Sequence, residues 1–405
     1  MAEFGWNFEK LEKDGKFRFL DMITVKEKGV ASVLERIVEE VGNFKAKRLV
    51  IDSFSAMAQA FKKPIDARII LHTLLGRIIR QFGCTTILIA ETPIGQEGVG
   101  LGVEEFVADN VVRLKFIELE GYTLRELELL KLRGTRIKER KLIYTLEGGF
   151  NVIPPFKFKP VEKPDRFQPI PDPPNKYSTG VKTLDEALDG GLPKGSAMLL
   201  EIDEKISASM YHLLVAPMAA NFVLQGRGLF IVPSMGVNPL LFHKHIGAYG
   251  GTEEEWKRYI RIIMRGSKPS ESFPSIIPVK GKDWREDLGE VFRIGKELAT
   301  KTGQPNLFIV GVDALTTFYG EKQCEEILNI SATEARRTEA AIIAIVKAGY
   351  RSLAIRLSSI VDVYLRLKRE HGCLLLYGVK PRMGIYAVEC DVSKGYPMPK
   401  LTPIV

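Results

Sequence analysis

Asp52 is the first residue whose placement could do chemistry. It closes the run Arg48-Leu49-Val50-Ile51-Asp52, which reads as a strand delivering one carboxylate at its C-terminal end. A carboxylate there is the geometry that holds Mg²⁺ beside a nucleotide phosphate. A second run, Leu307-Phe308-Ile309-Val310-Gly311-Val312-Asp313, has the same form. Lys131 and Arg133 flank Leu132 on another apolar strand. Alternate residues of a strand point to one side, so these two cations can converge on one anion. Phosphate binding also needs a cradle of backbone N–H groups. The usual solution, G-x-x-x-x-G-K-[ST], occurs nowhere in the chain.

The elements that must position these residues alternate. In the first part, Gly29–Glu40 reads as a helix with Val33, Leu34, Ile37 and Val38 on one face. A strand follows at Arg48–Ile51. Asp66 then opens a helix whose apolar face runs from Ile69 to about Phe82, and Thr86–Ala90 is the next strand. Shorter strands follow at Asn110–Phe116, Arg125–Leu132 and Lys141–Leu146. The second part repeats the order. Strands are predicted at Ala197–Glu201, Gly228–Val232, Leu307–Val312 and Ala341–Val346. They are separated by helices at Ser207–Leu224, Trp284–Thr300 and Cys324–Arg337. Terminal strands lie at Val361–Leu367, Cys373–Val379 and Gly384–Val388. Strand–helix alternation followed by β-hairpins predicts α/β units with mostly parallel sheets and antiparallel C-terminal extensions. Dense prolines between Pro154 and Lys176 predict an extended, semi-rigid linker over 155–176, with domains at 1–154 and 177–405.

Composition narrows the function classes. The 405 residues suffice for two domains of ordinary size, and the net charge is +8. There is no dense Lys/Arg tract, so nucleic acid is not the expected partner. The spaced basics Arg133, Arg136, Lys138, Arg140 and Lys141 read as a solvated turn. Cys84, Cys324, Cys373 and Cys390 are far apart and form no C-x-x-C, the usage of a reducing cytosol rather than of a zinc site. No apolar run approaches the roughly 20 residues of a membrane span. The first ten residues carry no signal-peptide pattern, and the expected location is the cytoplasm.

The stretch from Tyr177 to Ser196, Tyr-Ser-Thr-Gly-Val-Lys-Thr-Leu-Asp-Glu-Ala-Leu-Asp-Gly-Gly-Leu-Pro-Lys-Gly-Ser, resembles the opening of a KaiC/GvpD-type RecA domain. In the first part, Ile51-Asp52-Ser53 is similar to that family's Walker B strand. Gly102–Val112 and Lys131-Leu132-Arg133-Gly134-Thr135 are similar to later segments of the same module. The resemblance implies two RecA-like domains with a P-loop NTPase fold, a cytosolic archaeal or bacterial source, and ATP with Mg²⁺ bound between subunits of an oligomer. It implies that Lys131, Leu132 and Arg133 reach a neighbour's nucleotide and that Asp52 holds the Mg²⁺. Ile137 stands where the family often has His.

The chain departs from that pattern in both parts. Ahead of Gly5-Trp6 a complete domain would have a strand, a phosphate loop, a helix and a second, acid-tipped strand. In the second part the loop position reads Glu201-Ile202-Asp203-Glu204-Lys205-Ile206-Ser207-Ala208-Ser209. It has no glycine to wrap a phosphate, and three acids in four positions repel one. The expected reading is a degenerate, non-hydrolysing second domain and a regulatory or assembly subunit. Asp313 is expected to be structural, Glu91 a loop acid, and Glu104 and Glu105 surface acids. Two alternatives stay open: an active ATPase or autokinase recorded without its N-terminal part, and a DNA-binding recombinase paralogue. Loss of the interior strand would also leave unpaired strand edges and uncovered apolar faces in the first part. Either Met1 is an internal methionine of a longer gene, or the first domain is held by the second or by another subunit.

Overall fold

The computed structural model describes residues 5–21, 25–55, 72, 76, 78, 81–92, 108–238, 242–244, 247–266 and 275–405. The fold is mixed α/β and separates into two units. The smaller comprises residues 1–114 and 127–140, the larger 115–126 and 141–405.

In the smaller unit, α1 (Phe8–Lys13) is capped by the Asn7 side chain, which accepts the Lys10 N–H at 2.9 Å. Helix α2 (Val25–Phe44) places Val33, Leu34, Ile37 and Val41 against Ile51, Phe54, Ile78 and Cys84. Strands β1 (Arg48–Asp52) and β2 (Thr85–Ile89) pair in parallel, with Asp52 opposite Ile89. The expected helix from Asp66 to Phe82 and the Gly102–Val112 segment, Glu104 and Glu105 included, fall mostly outside the described residues. A separate sheet runs in the order β3 (Asn110–Leu119), β4 (Tyr122–Leu132), β5 (Lys141–Thr145), β6 (Asn151–Ile153). Its strands are longer at the β3–β4 turn than expected because Glu120 and Gly121 take positive φ and close a tight turn.

Residues 154–175 contain no helix or strand. Phe167 is buried against Tyr249 and Tyr396, and its N–H donates to the Tyr249 carbonyl at 2.9 Å. Next come β7 (Lys176–Tyr177), α3 (Lys182–Ala187) and β8 (Leu192–Pro193), with β7 and β8 paired. Buried Asp185 ties this segment: it accepts from the Thr179 N–H at 2.7 Å and from the Ser178 and Thr179 hydroxyls at 2.5 and 2.6 Å. Gly191 sits at φ +111, where a Cβ would lie 2.3 Å from the Tyr177 carbonyl oxygen. So the Tyr177–Ser196 motif builds a scaffold rather than a reactive loop.

The remaining strands are β9 (Ala197–Ile202), β10 (Leu229–Val232), β11 (Ile260–Arg265), β12 (Ile276–Val279), β13 (Leu307–Gly311), β14 (Ala341–Lys347), β15 (Val363–Glu370), β16 (Cys373–Lys380), β17 (Met383–Asp391) and β18 (Met398–Pro403). They form one sheet in the order β12-β11-β10-β13-β14-β9-β15-β16-β17-β18. Pairs from β12 to β15 are parallel and those from β15 to β18 antiparallel. The helices are α4 (Ala208–Leu224), α5 (Glu253–Tyr259), α6 (Trp284–Thr302), α7 (Val312–Tyr319), α8 (Glu321–Thr338) and α9 (Arg351–Leu357). Helix α4 covers one sheet face, with Leu214, Met218 and Phe222 against Leu200, Ile309 and Ile343. Helices α6 and α8 cover the other, with Val291, Leu298, Ile327 and Leu328 against Leu199, Phe230, Val310 and Ile342. A parallel sheet buried on both faces is mostly apolar, which is why β9 and β14 read as hydrophobic runs over Ala197–Leu200 and Ala341–Val346.

Candidate functional site

In parallel α/β sheets ligands gather at the C-terminal strand ends. Both units have such an end, and they are built differently.

In the smaller unit Asp52 is exposed at the end of β1. Glu91 lies two residues beyond β2, and its N–H donates to the Ser55 hydroxyl at 2.8 Å. Lys131 and Arg133 lie in the other sheet's hairpin, at and just past the end of β4. They do converge, on residues 108 and 109. The Lys131 ammonium donates to the Ala108 carbonyl at 2.7 Å, and the Arg133 guanidinium pairs with the exposed Asp109 carboxylate at 2.7 Å. Leu132 lies between them on β4. The described residues thus offer the Asp52 carboxylate at a strand end and two cations, one of them already paired with Asp109, but no ring of backbone N–H donors. They do not by themselves form an ATP site.

In the larger unit residues 203–207 connect β9 to α4, where a phosphate loop would lie. Three of their five amides are already used. The Asp203 N–H donates to the Leu367 carbonyl at 3.1 Å, the Ile206 N–H to the Asp203 carbonyl at 3.1 Å, and the Glu204 N–H to the Asp203 carboxylate at 2.7 Å. Burial raises the Asp203 carboxyl, and hydrogen bonding and charge from Glu204 raise it further.

Asp313 is not at a strand end. β13 stops at Gly311, and Asp313 lies buried in the first turn of α7. Its carboxylate accepts the Met235 N–H at 3.0 Å and the Ala314 N–H at 3.0 Å, and pairs with the Lys347 ammonium at 2.7 Å. Lys347 also donates to the Met235 carbonyl at 2.9 Å. Burial and the charge of Asp313 push the Tyr211 hydroxyl, on α4, up to about 12. A lysine of the protein therefore sits on the carboxylate where a nucleotide's metal would be sought, and the acidic turn repels phosphate. This end does not fit ATP and Mg²⁺. Sequence reasoning missed Lys347; its signal is the lone charge ending the apolar run Ala341–Val346.

A second polar cluster was also missed. Glu201 on β9 is buried. It accepts from the Arg366 Nε at 2.7 Å and from the Tyr364 hydroxyl, and the Arg351 guanidinium lies 3.6 Å away. Arg366 and Arg351 also pair with Glu120. Burial, with Glu201 beside it, pushes the Tyr364 hydroxyl up to about 12. Every charge here has a partner, so the cluster is structural. The face under α6 and α8 holds a cavity of about 390 Å³ lined by Trp284, Val291, Phe308 and Ile327 among others; its apolar walls suit no phosphate. Among the described residues no group of three or more His, Cys, Asp or Glu could hold a metal, and no helix is long and apolar enough to cross a membrane.

Known proteins match the chain in two successive parts. Residues 1–156 match the KaiC ATPase family model, and residues 166–253 match GvpD basic region 2. Protein GvpD2 of Halobacterium salinarum is 24% identical over 375 residues, covering 88% of this chain and 73% of that protein. GvpD1 of the same organism is 25% identical over 358 residues, covering 74% of this chain and 66% of that protein. The circadian clock oscillator protein KaiC of Thermostichus vulcanus is 34% identical over 206 residues, 48% of this chain and 38% of KaiC. In its successive parts the chain is thus similar to the KaiC and GvpD family of proteins. The Tyr177–Ser196 and Lys131–Thr135 motifs had pointed to this family. The GvpD-matching region is not basic here: residues 166–253 contain seven Lys and Arg against eight Asp and Glu.

Proposed function

We propose that the chain is a regulatory or assembly subunit built of tandem RecA-like domains, 1–154 and 177–405, joined by the segment 155–176. In this reading the second domain neither binds nor hydrolyses nucleotide. The observation that carries it is the Lys347–Asp313 pair, together with an acidic Asp203–Glu204 turn in place of a phosphate loop. The first domain acts in trans. Lys131 and Arg133 turn from Asp109 and the Ala108 carbonyl to a neighbouring subunit's phosphates, as an arginine finger does, with Leu132 holding the strand between them. Asp52 supplies the metal carboxylate wherever a phosphate cradle is completed beside it. The setting proposed is a cytoplasmic oligomer of archaeal type.

Two measurements test this. Equilibrium dialysis of the full chain with Mg·ATP is expected to find no nucleotide retained; one tightly held ATP per chain sinks the non-binding reading and favours the ATPase alternative. In a mixed oligomer with an active RecA-like ATPase, Lys131→Ala with Arg133→Ala is expected to lower turnover at least tenfold. Unchanged turnover removes the trans role. Single-stranded DNA affinity with a salt slope of several charges would favour the recombinase alternative instead.

A further inference from the structure

The cavity beneath α6 and α8 lies wholly within the larger unit and away from the phosphate-loop position. Helix α6 leads from the edge strand β12 to β13, and α8 leads from α7 to β14. The gap between the two helices is floored by Phe308 and Val310 of β13 and Ile342 of β14. Native interiors hold few voids larger than a water molecule. This one measures about 390 Å³, within the range of about 300–1,000 Å³ that small-molecule sites occupy. Gly295 thins the α6 wall. A Cβ there would meet Phe308 Cζ at 3.6 Å and Asn306 Nδ2 at 3.7 Å, which are ordinary contact distances. The helix therefore forgoes a side chain that would fit, although glycine inside a helix is less favourable than alanine.

The cavity's lining is polar at one end of α6 and apolar at the other. Around the start of α6 stand Trp284, Ile263, Val279 and Leu315, all buried. Asp287 lines the same end, but its carboxylate is fully used. It accepts the Lys280 and Gly281 N–H groups at 3.0 and 2.8 Å and the Tyr319 hydroxyl at 2.8 Å. Toward the other end the lining includes Lys296 of α6 with Glu334 and Arg337 of α8. Arg337, not Lys296, closes the ion pair with Glu334, donating to both carboxylate oxygens at 2.6 and 2.9 Å. That hydrogen bonding, with the charge of nearby Lys296, holds the Glu334 carboxyl below its usual range. These three side chains carry one positive charge in excess, and Lys296 is exposed and free to receive an anion. Trp284 and Lys296 are twelve residues apart on α6, about 18 Å along its axis. We infer that the cavity binds a fatty carboxylate, its tail against Trp284 and its head on Lys296, a span that a chain of about a dozen carbons covers. Apolar walls supply the affinity of such a site, and the few polar groups at its rim fix the orientation.

The test uses the full chain and the probe 11-bromoundecanoate, whose terminal bromine quenches a tryptophan it touches. None of its readings depends on nucleotide. The expected result is saturable quenching of tryptophan emission at one equivalent per chain, reversed by unbrominated undecanoate. The other tryptophans are exposed Trp6 and Trp256, which is buried in the core beneath α4. Trp284→Phe should therefore remove the quenching and leave their emission. The methyl ester of the probe should bind at least tenfold more weakly than the acid, and so should the acid to Lys296→Glu, because each loses the charge-assisted contact. Gly295→Met should fill the gap, with binding weakened at least tenfold and a thermal midpoint no lower than that of the native chain. Quenching that survives in Trp284→Phe places the probe on another apolar surface and overturns the site. Equal affinity for acid and ester, or for native chain and Lys296→Glu, overturns the anionic class. Absence of saturable quenching overturns the inference outright. A lowered midpoint in Gly295→Met does so too, because the room beside α6 is then not there.

Discussion

Lys347 is the residue on which the larger unit's character turns. Its ammonium neutralises a carboxylate that is otherwise buried, and removing one partner of such a pair costs about 3 kcal/mol because the remaining charge is stranded. Lys347→Met is therefore expected to lower the unfolding free energy by that amount, read as a lower urea midpoint. Adding Asp313→Asn should restore much of it, since the stranded charge is then gone. Glu126 allows a test by pH. Burial alone would raise its carboxyl, but the Lys115 hydrogen bond and the charges of His371, Lys115 and Lys141 outweigh it and hold it below the usual 4.5. A depressed carboxyl stabilises the fold above its unfolded pKa, and that stability is lost as pH falls through the folded value. Glu126→Gln should thus be less stable than the native chain at pH 7, and the gap should close as the pH drops below about 4. Urea titrations across that range decide it. At this scale the sequence exposed Asp52, Lys131 and Arg133 through strand position and alternation. It hid Lys347 because its partner Asp313 stands on α7, far away in the sequence, and the Glu201–Arg366 cluster because β9 and β15 are adjacent only in the folded sheet.

Elements were legible where a period or a punctuating residue marked them. The strands β9, β13 and β14 and the helices α4, α6 and α8 follow from unbroken or periodic apolar runs. β11 and β12 escaped: Ile260–Arg265 carries two arginines, and Ile276–Val279 is four residues with an internal proline. That proline is tolerated because β12 is the sheet's outermost strand. β18 escaped similarly, since Met398–Pro403 has a proline near each end and lies at the other edge. Helix α5 lies in no long apolar run and is fixed instead by a capping box between Thr252 and Glu255. The Tyr177–Ser196 motif was read for its family likeness, whereas its physical work is to hold β7 and β8 together. Gly191→Ala tests that work. A methyl at φ +111 and 2.3 Å from a carbonyl forces β7 from β8, and the expected cost is at least about 2 kcal/mol in the thermal or urea midpoint. An equally stable variant would mean the turn relaxes freely.

For the whole molecule the sequence showed strand–helix alternation twice over and the absence of a phosphate loop, but not the uneven protection of the two units. The larger unit's sheet is covered on both faces, whereas the described part of the smaller unit leaves Val50, Ile87 and Ile89 in solvent. Periodicity cannot reveal this, because the same β-branched strand reads identically whether its outer face is covered or bare. Contiguous apolar surface on a sheet with an open edge drives association until something covers it. Val50→Lys with Ile87→Lys places two charges on that face without touching Leu49, Ile51 or Leu88 beneath α2. The expected result is that light scattering, which for the native chain gives a particle mass rising with concentration, gives one that stays constant for the variant. Far-UV circular dichroism should be unchanged and stability altered by less than about 0.5 kcal/mol, as for ordinary surface substitutions. If the variant instead unfolds, these positions are covered in the native chain and the bare face is not its resting state. If association persists with the fold intact, the contact lies elsewhere, and the open edges of β12 and β18 become the next strands to block.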